Sequence, residues 1–329
     1  MINECTPRVA IITGITGQDG YYLATHLIKQ GYQVIGTSRG QTCNKIPRLK
    51  DLIDRKLLFV ETINLEDANA VGEIIDKHQP NMIFHLAGQS SVGISIQDPA
   101  GTFSSIVNTT YHLLEAIRQK SPASRIFIAG SSEIFGVNQE LPVTCSTPMN
   151  PQNPYAMAKA LAFNLVSEFR RSHGIYACTG VLFSHESPLR SEHFVSQKII
   201  SGACAIAGGR QKKLHLGNLS LQRDWGWAPE YVEAMEKMLT RNEPSDFIIA
   251  TGQMNQLEDF VTQAFAEVGL DWKKCVAIDK QFFRPNEGSH PSADMAHTTQ
   301  HLGWTATTTM NGVVQKMVDA CQNHMSECE

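Results

Sequence analysis

Residues 8–20, RVAIITGITGQDG, decide how this chain folds. The first six are a short, largely apolar run that predicts a buried strand, and glycines follow at positions 14, 17 and 20. A strand, a turn and a helix in this order aim backbone N–H groups and the positive end of the helix dipole at a pyrophosphate, while glycines let the backbone approach it closely. The stretch therefore predicts a dinucleotide site built from Gly14, Thr16, Gly17, Gln18, Asp19 and Gly20.

Strands and helices alternate along the chain after this turn. The pattern predicts helices at 21–30, 66–79 and 102–119, and strands at 33–37, 57–60, 82–86, 125–129 and 176–183. Such alternation is typical of an α/β fold with a Rossmann-type, doubly wound parallel sheet. Ligands bind at the carboxyl ends of the strands in this fold. Leu86, Ala87 and Gly88 stand at one such end, and Ser131 and Glu133 stand at another.

The end of the second strand predicts which dinucleotide binds. An acidic residue there would accept hydrogen bonds from the ribose of NAD, but residues 36–40 read GTSRG and contain no carboxylate. Arg39 can instead pair with the 2′-phosphate of NADP. NADP is therefore the favoured cofactor, and the alternative is that Arg39 is a solvated loop cation.

Four residues between 131 and 159, after the strand predicted at 125–129, form a candidate catalytic set. Tyr155 and Lys159 are four positions apart and so share one face of a helix, where the ammonium group can lower the phenol pKa until Tyr155 acts as a base. Ser131 can hydrogen-bond the same substrate oxygen. Glu133 supplies a second acid/base group, which a plain alcohol dehydrogenase does not require. The set can oxidise one carbon and remove a proton from its neighbour.

The composition limits the remaining possibilities. With 329 residues, 42% of them apolar, the chain can bury a large core in one or two domains. A net charge of −4 without a basic run disfavours nucleic acid and anionic membranes as partners. We find no transmembrane or signal segment, and neither the 8 cysteines nor the 12 histidines show metal-ligand spacing. A cytoplasmic protein without a metal site is expected.

The domain boundary is predicted where the sequence becomes richer in His, Gly and Pro, near residue 184. Residues 1–183 are expected to form the NADP-binding Rossmann domain, to which a segment near 224–251 returns. Residues 184–329 are expected to form mainly a smaller, mixed α/β substrate-binding domain.

Longer motifs give the chain a family resemblance. They are GITGQDG at 14–20, SSEIFG at 131–136, NPYAMAK at 153–159, LFSHESP at 182–188, LGNLSLQRDWG at 216–226 and FRPNE at 283–287. With these motifs the chain resembles the GDP-mannose 4,6-dehydratase family of extended short-chain dehydrogenase/reductases, over nearly its whole length.

The resemblance implies an activity and a set of site residues. The activity is redox-neutral 4,6-dehydration of a GDP-linked sugar, with NADP kept bound, to a 4-keto-6-deoxy sugar. The implied catalytic residues are Ser131, Glu133, Tyr155 and Lys159. Further implied cofactor contacts are Arg39, Asn64, Leu65, Leu86, Ala87, Gly88, His185 and Glu186. The implied substrate contacts are Ser91, Ser184, Arg190, Lys198, Asn218, Arg223, Arg284 and Glu287.

The chain departs from the family pattern close to these sites. Asn64 replaces an aspartate, Ser184 an asparagine, and Ser91 and Trp227 each a histidine. The sugar is therefore GDP-mannose or a relative such as GDP-manno-heptose. Gly40 replaces a second arginine, and the loop after it, which reaches a neighbouring subunit in the family, is shorter. A homodimer and a homotetramer both remain open.

Two other functions also remain open. A GDP-keto-sugar reductase or epimerase would share Tyr155 and Lys159 but has less need of Glu133. A catalytically silent relative would retain NADP without turnover, although the complete catalytic set argues against it. Two residues also have a purely structural alternative. Glu133 would then be a capping carboxylate, and His185 would be a hydrogen-bonded histidine under a loop.

The cofactor preference can be tested at Arg39. An Arg39→Ala variant should bind NADP less tightly by about 1.5 to 3 kcal/mol and bind NAD almost unchanged, because NAD lacks the 2′-phosphate. Isothermal titration calorimetry with both cofactors measures the difference. Equal losses for the two would show that Arg39 only supports its loop.

Overall fold

The computed structural model describes residues 8–40, 43–137, 142–283 and 288–326. The strands are β1 (Val9–Thr13), β2 (Gln33–Ser38), β3 (Leu58–Thr62), β4 (Met82–His85), β5 (Arg125–Ala129), β6 (Tyr176–Leu182), β7 (Ser184–Glu186), β8 (Leu214–Leu216), β9 (Gln222–Arg223), β10 (Trp225–Trp227), β11 (Phe247–Ile249), β12 (Asn255–Gln256) and β13 (Val276–Ile278).

The helices connect these strands. They are α1 (Gln18–Lys29), α2 (Pro47–Asp54), α3 (Ala68–His78), α4 (Val92–Gln97), α5 (Pro99–Phe103), α6 (Thr109–Lys120), α7 (Pro154–His173), α8 (Val195–Ala207), α9 (Ala228–Thr240), α10 (Leu257–Glu267), α11 (Trp272–Cys275) and α12 (Met310–Ser326). Among the described residues no helix has both the length and the hydrophobicity needed to cross a bilayer.

The main sheet has seven strands in the order β11-β6-β5-β4-β1-β2-β3. From β6 to β3 every neighbouring pair is parallel. The chain runs outward from β1 through β2 to β3 and then returns to place β4 on the other side of β1. This reversal creates the crevice in which doubly wound folds bind ligands, at the carboxyl ends of β1 and β4. The predicted α/β fold class is confirmed.

The chain divides into two compact units. The first comprises the described parts of Met1–Ile134, Met149–Val181 and Val232–Phe247. The second comprises the described parts of Phe135–Pro148, Leu182–Tyr231 and Ile248–Glu329.

Helices cover the sheet of the first unit on both faces. Ile11, Ile83 and Ile126 pack with residues of α3, α6 and α7. Phe84 and Phe127 point to the opposite face, with ring centres 6.2 Å apart. On that side α1 and α9 are joined through His26 and Glu236, whose side chains are 3.2 Å apart. The core of the second unit is formed by apolar side chains of α8, α10 and α12.

Two helices differ from the sequence prediction. The first helix begins at Gln18 instead of position 21, so that Asp19 lies in its first turn, where the helix dipole stabilises a carboxylate. The helix predicted at 102–119 is broken by a π-helical turn at Ser104–Asn108. Thr109 and Thr110 donate hydrogen bonds back to backbone carbonyl groups of this turn, a pattern that distorts helices.

The ends of β1 and β4 are joined by one hydroxyl group. Thr13 Oγ1 accepts hydrogen bonds from the N–H groups of Leu86 and Ala87, both at 3.2 Å, and lies 2.8 Å from His85 Nδ1. Because both of its lone pairs are occupied, the Thr13 hydroxyl donates to the imidazole. At the other side of the ring His85 Nε2 donates to Thr109 Oγ1, 3.1 Å away, since Thr109 donates its own proton to the backbone of Ser105.

This arrangement predicts the effect of removing the hydroxyl. Thr13→Val leaves two N–H groups and one imidazole nitrogen without their partner and should lower the free energy of unfolding by about 3 kcal/mol. Thr13→Ser keeps the hydroxyl and should lose about 1 kcal/mol or less, for one methyl group. Urea unfolding of the two variants measures the difference. Equal losses would mean that the hydrogen bonds contribute nothing beyond packing.

Candidate functional site

The glycine turn after β1 approaches the end of β4 closely. Gly14 has φ +76°, and a Cβ atom there would lie 2.8 Å from the nitrogen of Ala87. A Cβ atom at Gly20 would lie 2.4 Å from the Gly14 oxygen. Only glycine fits either position, and the turn leads directly into the amino end of α1, where Gly17 is the N-cap. The geometry is that of a phosphate-binding turn.

His85 beneath this turn is neutral. Burial, and to a lesser extent the charge of Lys159, lowers its pKa to about 3. A protonated ring would also have no acceptor at Nδ1, because the Thr13 hydroxyl already donates to it. The sequence prediction missed His85, since its partners are 72 and 24 residues away.

The other sequence-predicted cofactor residues of the first unit lie at strand ends. Arg39 is exposed after β2, and the described part of that strand end contains no carboxylate. Asn64 and Leu65 follow β3, where Asn64 Oδ1 accepts a hydrogen bond from the Glu66 N–H at 3.2 Å. Leu86, Ala87 and Gly88 follow β4.

Ser131 and Glu133 lie directly after β5. Ser131 is buried, with 8% of its surface exposed, and its hydroxyl oxygen accepts a hydrogen bond from the Glu133 N–H at 3.3 Å. Glu133 lies in a short 3-10 helix, Ser132–Phe135. Its Oε2 accepts a hydrogen bond from Asn153 Nδ2 at 3.2 Å. The carboxylate is therefore held at a fixed place.

Asn153 connects this carboxylate to α7. It is the N-cap of the helix, and its Oδ1 accepts a hydrogen bond from the Ala156 N–H at 2.8 Å. One amide group thus caps the helix that carries Tyr155 and orients Glu133. The sequence shows an N-cap pattern, Asn before Pro at the first helical position, but not the second contact.

Tyr155 and Lys159 lie on the first turns of α7, as predicted. Tyr155 is buried with 9% exposure, and Lys159 Nζ is 5.8 Å from the centre of its ring. Lys159 donates a hydrogen bond to the backbone oxygen of Ala129 at 2.7 Å, which fixes the ammonium beside the end of β5. Burial lowers the pKa of Lys159 to about 8. The first unit thus carries all four predicted catalytic residues.

Several predicted residues of the second unit are tied to one another. His185 is buried, donates from Nδ1 to the Phe183 oxygen at 2.7 Å and stacks on Tyr231 with ring centres 4.6 Å apart. Glu186 accepts a hydrogen bond from Ser196 at 2.7 Å and lies 3.1 Å from Arg190 Nε. Because the alignment at Arg190 Nε is poor, this contact is an ion pair without a hydrogen bond.

The RDWG segment at 223–226 is anchored by its aspartate. Asp224 accepts hydrogen bonds from the Thr251 N–H and hydroxyl and from the Gly252 N–H, at 3.1, 2.7 and 2.7 Å. Burial raises the pKa of Asp224 to about 6 despite these donors. Neighbouring Arg223 donates to the backbone oxygens of Gln222 and Gly288. Trp225 packs on Phe260, with ring centres 5.1 Å apart.

The remaining residues predicted to bind substrate are distributed over both units. In the first unit Ser91 is the N-cap of α4. In the second, Ser184 begins β7, Asn218 accepts hydrogen bonds from Ser220, and Lys198 donates to the His215 oxygen at 2.8 Å beneath the ring of Phe282. Arg284 and Glu287 lie outside the described residues. Where the structure describes the chain, no three His, Cys, Asp or Glu side chains are grouped for a metal ion.

Comparisons with known proteins place the chain among nucleotide-sugar enzymes. A family model described as GDP-mannose 4,6 dehydratase matches residues 11–317. The chain is similar to GDP-mannose 4,6 dehydratase 1 of Arabidopsis thaliana, with 37% identity over 322 residues, covering 95% of this chain and 89% of the relative.

Solved structures are similar in fold. One is dTDP-glucose 4,6-dehydratase from Bacillus anthracis in complex with NAD, with TM-score 0.83, 16% identity and coverage of 97% and 98% of the two chains. Another is RMD from Pseudomonas aeruginosa complexed with NADPH, with TM-score 0.81, 19% identity and coverage of 96% and 99%.

The double role of Asn153 can be separated by two substitutions. Asn153→Ala removes both the cap and the donor to Glu133, and should lower the free energy of unfolding by about 1 kcal/mol for the cap, and by more where Glu133 is ionised. Asn153→Asp keeps a capping oxygen but replaces the donor to Glu133 with a second carboxylate. Its stability should match the parent protein at low pH and fall as the pH rises past the carboxyl pKa values. Thermal unfolding from about pH 4 to about pH 8 tests this. A loss of stability in Asn153→Asp that does not depend on pH would refute the contact with Glu133.

Proposed function

Because the chain belongs to the GDP-mannose 4,6-dehydratase family, we propose that it catalyses the redox-neutral 4,6-dehydration of a GDP-linked sugar. The substrate is GDP-mannose or a close relative such as GDP-manno-heptose, and the product is the 4-keto-6-deoxy sugar. Support comes from the family match over residues 11–317 and from the hydrogen bonds that tie Glu133 and Lys159 to the junction between β5 and the start of α7.

A nicotinamide cofactor fits the glycine turn of the first unit. The turn leaves no space for a Cβ atom at Gly14 and places the amino end of α1 behind Gly17. The chemistry that a bound nicotinamide ring supplies is reversible hydride transfer, from C4 of the sugar and back to C6. We propose NADP rather than NAD because the described end of β2 carries Arg39 and no carboxylate.

Tyr155 is the base in the proposed oxidation at C4. Its phenolate takes the proton of the sugar O4 and becomes the phenol, and Ser131 hydrogen-bonds the same oxygen. The ammonium of Lys159, fixed by the Ala129 carbonyl group, stabilises the phenolate form.

Glu133 performs the elimination in this proposal. The ketone at C4 acidifies the proton on C5, and the carboxylate removes it. Glu133 then gives that proton to the departing C6 hydroxyl group, which leaves as water, and Tyr155 returns its proton to C5.

The orientation of Glu133 is the observation that carries the proposal. A plain alcohol dehydrogenase needs only Ser131, Tyr155 and Lys159. Here a fourth group, a carboxylate, follows Ser131 and is held by Asn153 at the amino end of the helix that bears Tyr155. An oriented acid/base at this place serves an elimination.

The proposed substrate contacts provide cations for a diphosphate. Arg223 and Lys198 are both oriented by backbone oxygens in the second unit. On the basis of the sequence, Arg284 is a further cation for the diphosphate, and Glu287 is a further substrate contact. We accordingly assign cofactor binding mainly to the first unit and substrate binding mainly to the second.

We also propose a homodimer or homotetramer in the cytoplasm. Tyr111 on α6 and Met157 and Leu161 on α7 expose 45%, 47% and 43% of their surfaces. Exposed apolar side chains on neighbouring helices are typical of subunit interfaces. The cysteines that the structure describes as free, among them buried Cys43, Cys178 and Cys204, are consistent with a reducing compartment.

The decisive experiment is incubation of the purified protein with GDP-mannose or GDP-manno-heptose, followed by mass analysis. The proposal requires loss of one water without added reductant. An epimerase would leave the mass unchanged, and a reductase would require a reduced cofactor and a keto sugar.

Replacing Glu133 should separate oxidation from elimination. The neutral amide of Glu133→Gln cannot take the C5 proton, whereas Tyr155 still oxidises C4. Product formation should fall by about 100-fold or more, while absorbance of reduced cofactor rises on mixing with substrate. Wild-type turnover in this variant would remove Glu133 from the mechanism.

Lys159 should impose an alkaline limit on activity. Its pKa of about 8 means that the ammonium is present below this pH and lost above it, so the phenolate of Tyr155 loses its stabilising charge. We expect kcat/KM to decline above about pH 8. Lys159→Arg keeps its charge and should be slower but lack this decline. A decline near pH 8 in both proteins would assign it to another group.

A further inference from the structure

Arg48 reaches the glycine turn from outside the predicted motifs. It lies on the first turn of α2, and its Nη2 donates a hydrogen bond to the backbone oxygen of Thr16 at 3.2 Å. The guanidinium carbon is 5.6 Å from the centre of the Tyr21 ring on α1. One side chain therefore spans α2, the turn and the first helix.

This guanidinium retains hydrogen-bonding capacity. Its Nε is buried and has no partner, and no carboxylate in the described part of the chain lies within ion-pairing distance of Arg48. Burial lowers the pKa of Arg48, which reflects the cost of holding a cation without a counter-charge. The Thr16 carbonyl orients the group but neutralises none of its charge. An anion at this place would satisfy it.

The position of Arg48 indicates which anion. Gly36 of β2 packs on Ile15 of the turn so tightly that a Cβ atom at Gly36 would lie 2.6 Å from it. The end of β2, with exposed Arg39 three residues on, therefore lies beside the turn that Arg48 holds. In doubly wound folds the end of β2 meets the adenosine ribose of the dinucleotide. Both guanidinium groups thus border the place of the ribose 2′ substituent.

We propose that Arg48 is a specificity-determining residue for NADP, which binds the 2′-phosphate together with Arg39 while it holds the Thr16 carbonyl group. The inference rests on the proposed use of NADP. It assigns the two arginines different parts: Arg39 is exposed and adjusts to the phosphate, whereas Arg48 is already oriented by the turn.

Binding measurements on the full chain test this directly. Arg48→Gln removes the charge and should weaken NADP binding about 10- to 100-fold, with NAD binding changed less than about 3-fold. Arg55→Gln is the matched control on the end of the same helix, because Arg55 is exposed and paired with Asp51 at 3.4 Å; it should leave both affinities unchanged. Isothermal titration calorimetry with NADP, NAD and 2′,5′-ADP gives all the values.

A shared phosphate also predicts coupling between the two arginines. Losses for Arg39→Ala and Arg48→Gln should not add in the double variant, since both remove partners of one group. Equal weakening of NADP and NAD by Arg48→Gln would overturn the inference and leave Arg48 as a support of the turn. If that variant does not fold, Arg48→Lys takes its place. Lysine keeps the charge but cannot donate two parallel hydrogen bonds, so this variant must still bind NADP less tightly while its affinity for NAD is unchanged.

Failure of the proposed use of NADP can be distinguished from failure of the role proposed for Arg48. A parent protein that binds NAD as tightly as NADP refutes the NADP proposal and, with it, a role for Arg48 in selecting the 2′-phosphate. A parent protein that prefers NADP, with the preference intact in Arg48→Gln, refutes only the role of Arg48.

Discussion

The hydrogen bonds of the Thr13 hydroxyl are the constraint on which the first unit depends. They hold the N–H groups of Leu86 and Ala87 against the end of β1, and the Thr13 hydroxyl donates to His85 Nδ1, which is therefore an acceptor. Because Gly14 follows Thr13 directly, the same contact fixes how closely the turn approaches β4. The turn, the crevice and the start of α1 are thus positioned by a residue that contacts no ligand in the proposed mechanism.

The neutral state of His85 has a consequence for catalysis. A second cation near Lys159 would raise the energetic cost of its ammonium, whose pKa burial already lowers to about 8. The two threonines that flank His85 occupy both ring nitrogens and so keep it uncharged without a carboxylate. Positive charge is therefore concentrated at Lys159, beside the phenol that needs it, and Ala129 supplies only an uncharged oxygen.

Local patterns predicted most of the first unit. Strands β1 to β6 were placed within a few residues, whereas β11 was not predicted as a strand. The glycine turn with α1, and Ser131, Glu133, Tyr155 and Lys159, occur where the spacing indicated. Contacts between distant segments could not be predicted, because one sequence does not show which polar groups meet. The Thr13–His85 pair, the contact of Asn153 with Glu133 over 20 residues and the reach of Arg48 to Thr16 over 32 residues are of this kind.

A chain with net charge −4 that binds two diphosphates must keep some cations available to them. Arg48 in the first unit and Lys198 in the second are oriented by backbone oxygens, which accept hydrogen bonds without cancelling the charge. Arg190 differs, because Glu186 lies within 3.1 Å and neutralises much of its charge. Of the cations implied by the family resemblance, Lys198 is thus better suited than Arg190 to meet an anionic ligand, and Arg190 better suited to hold Glu186 beside His185.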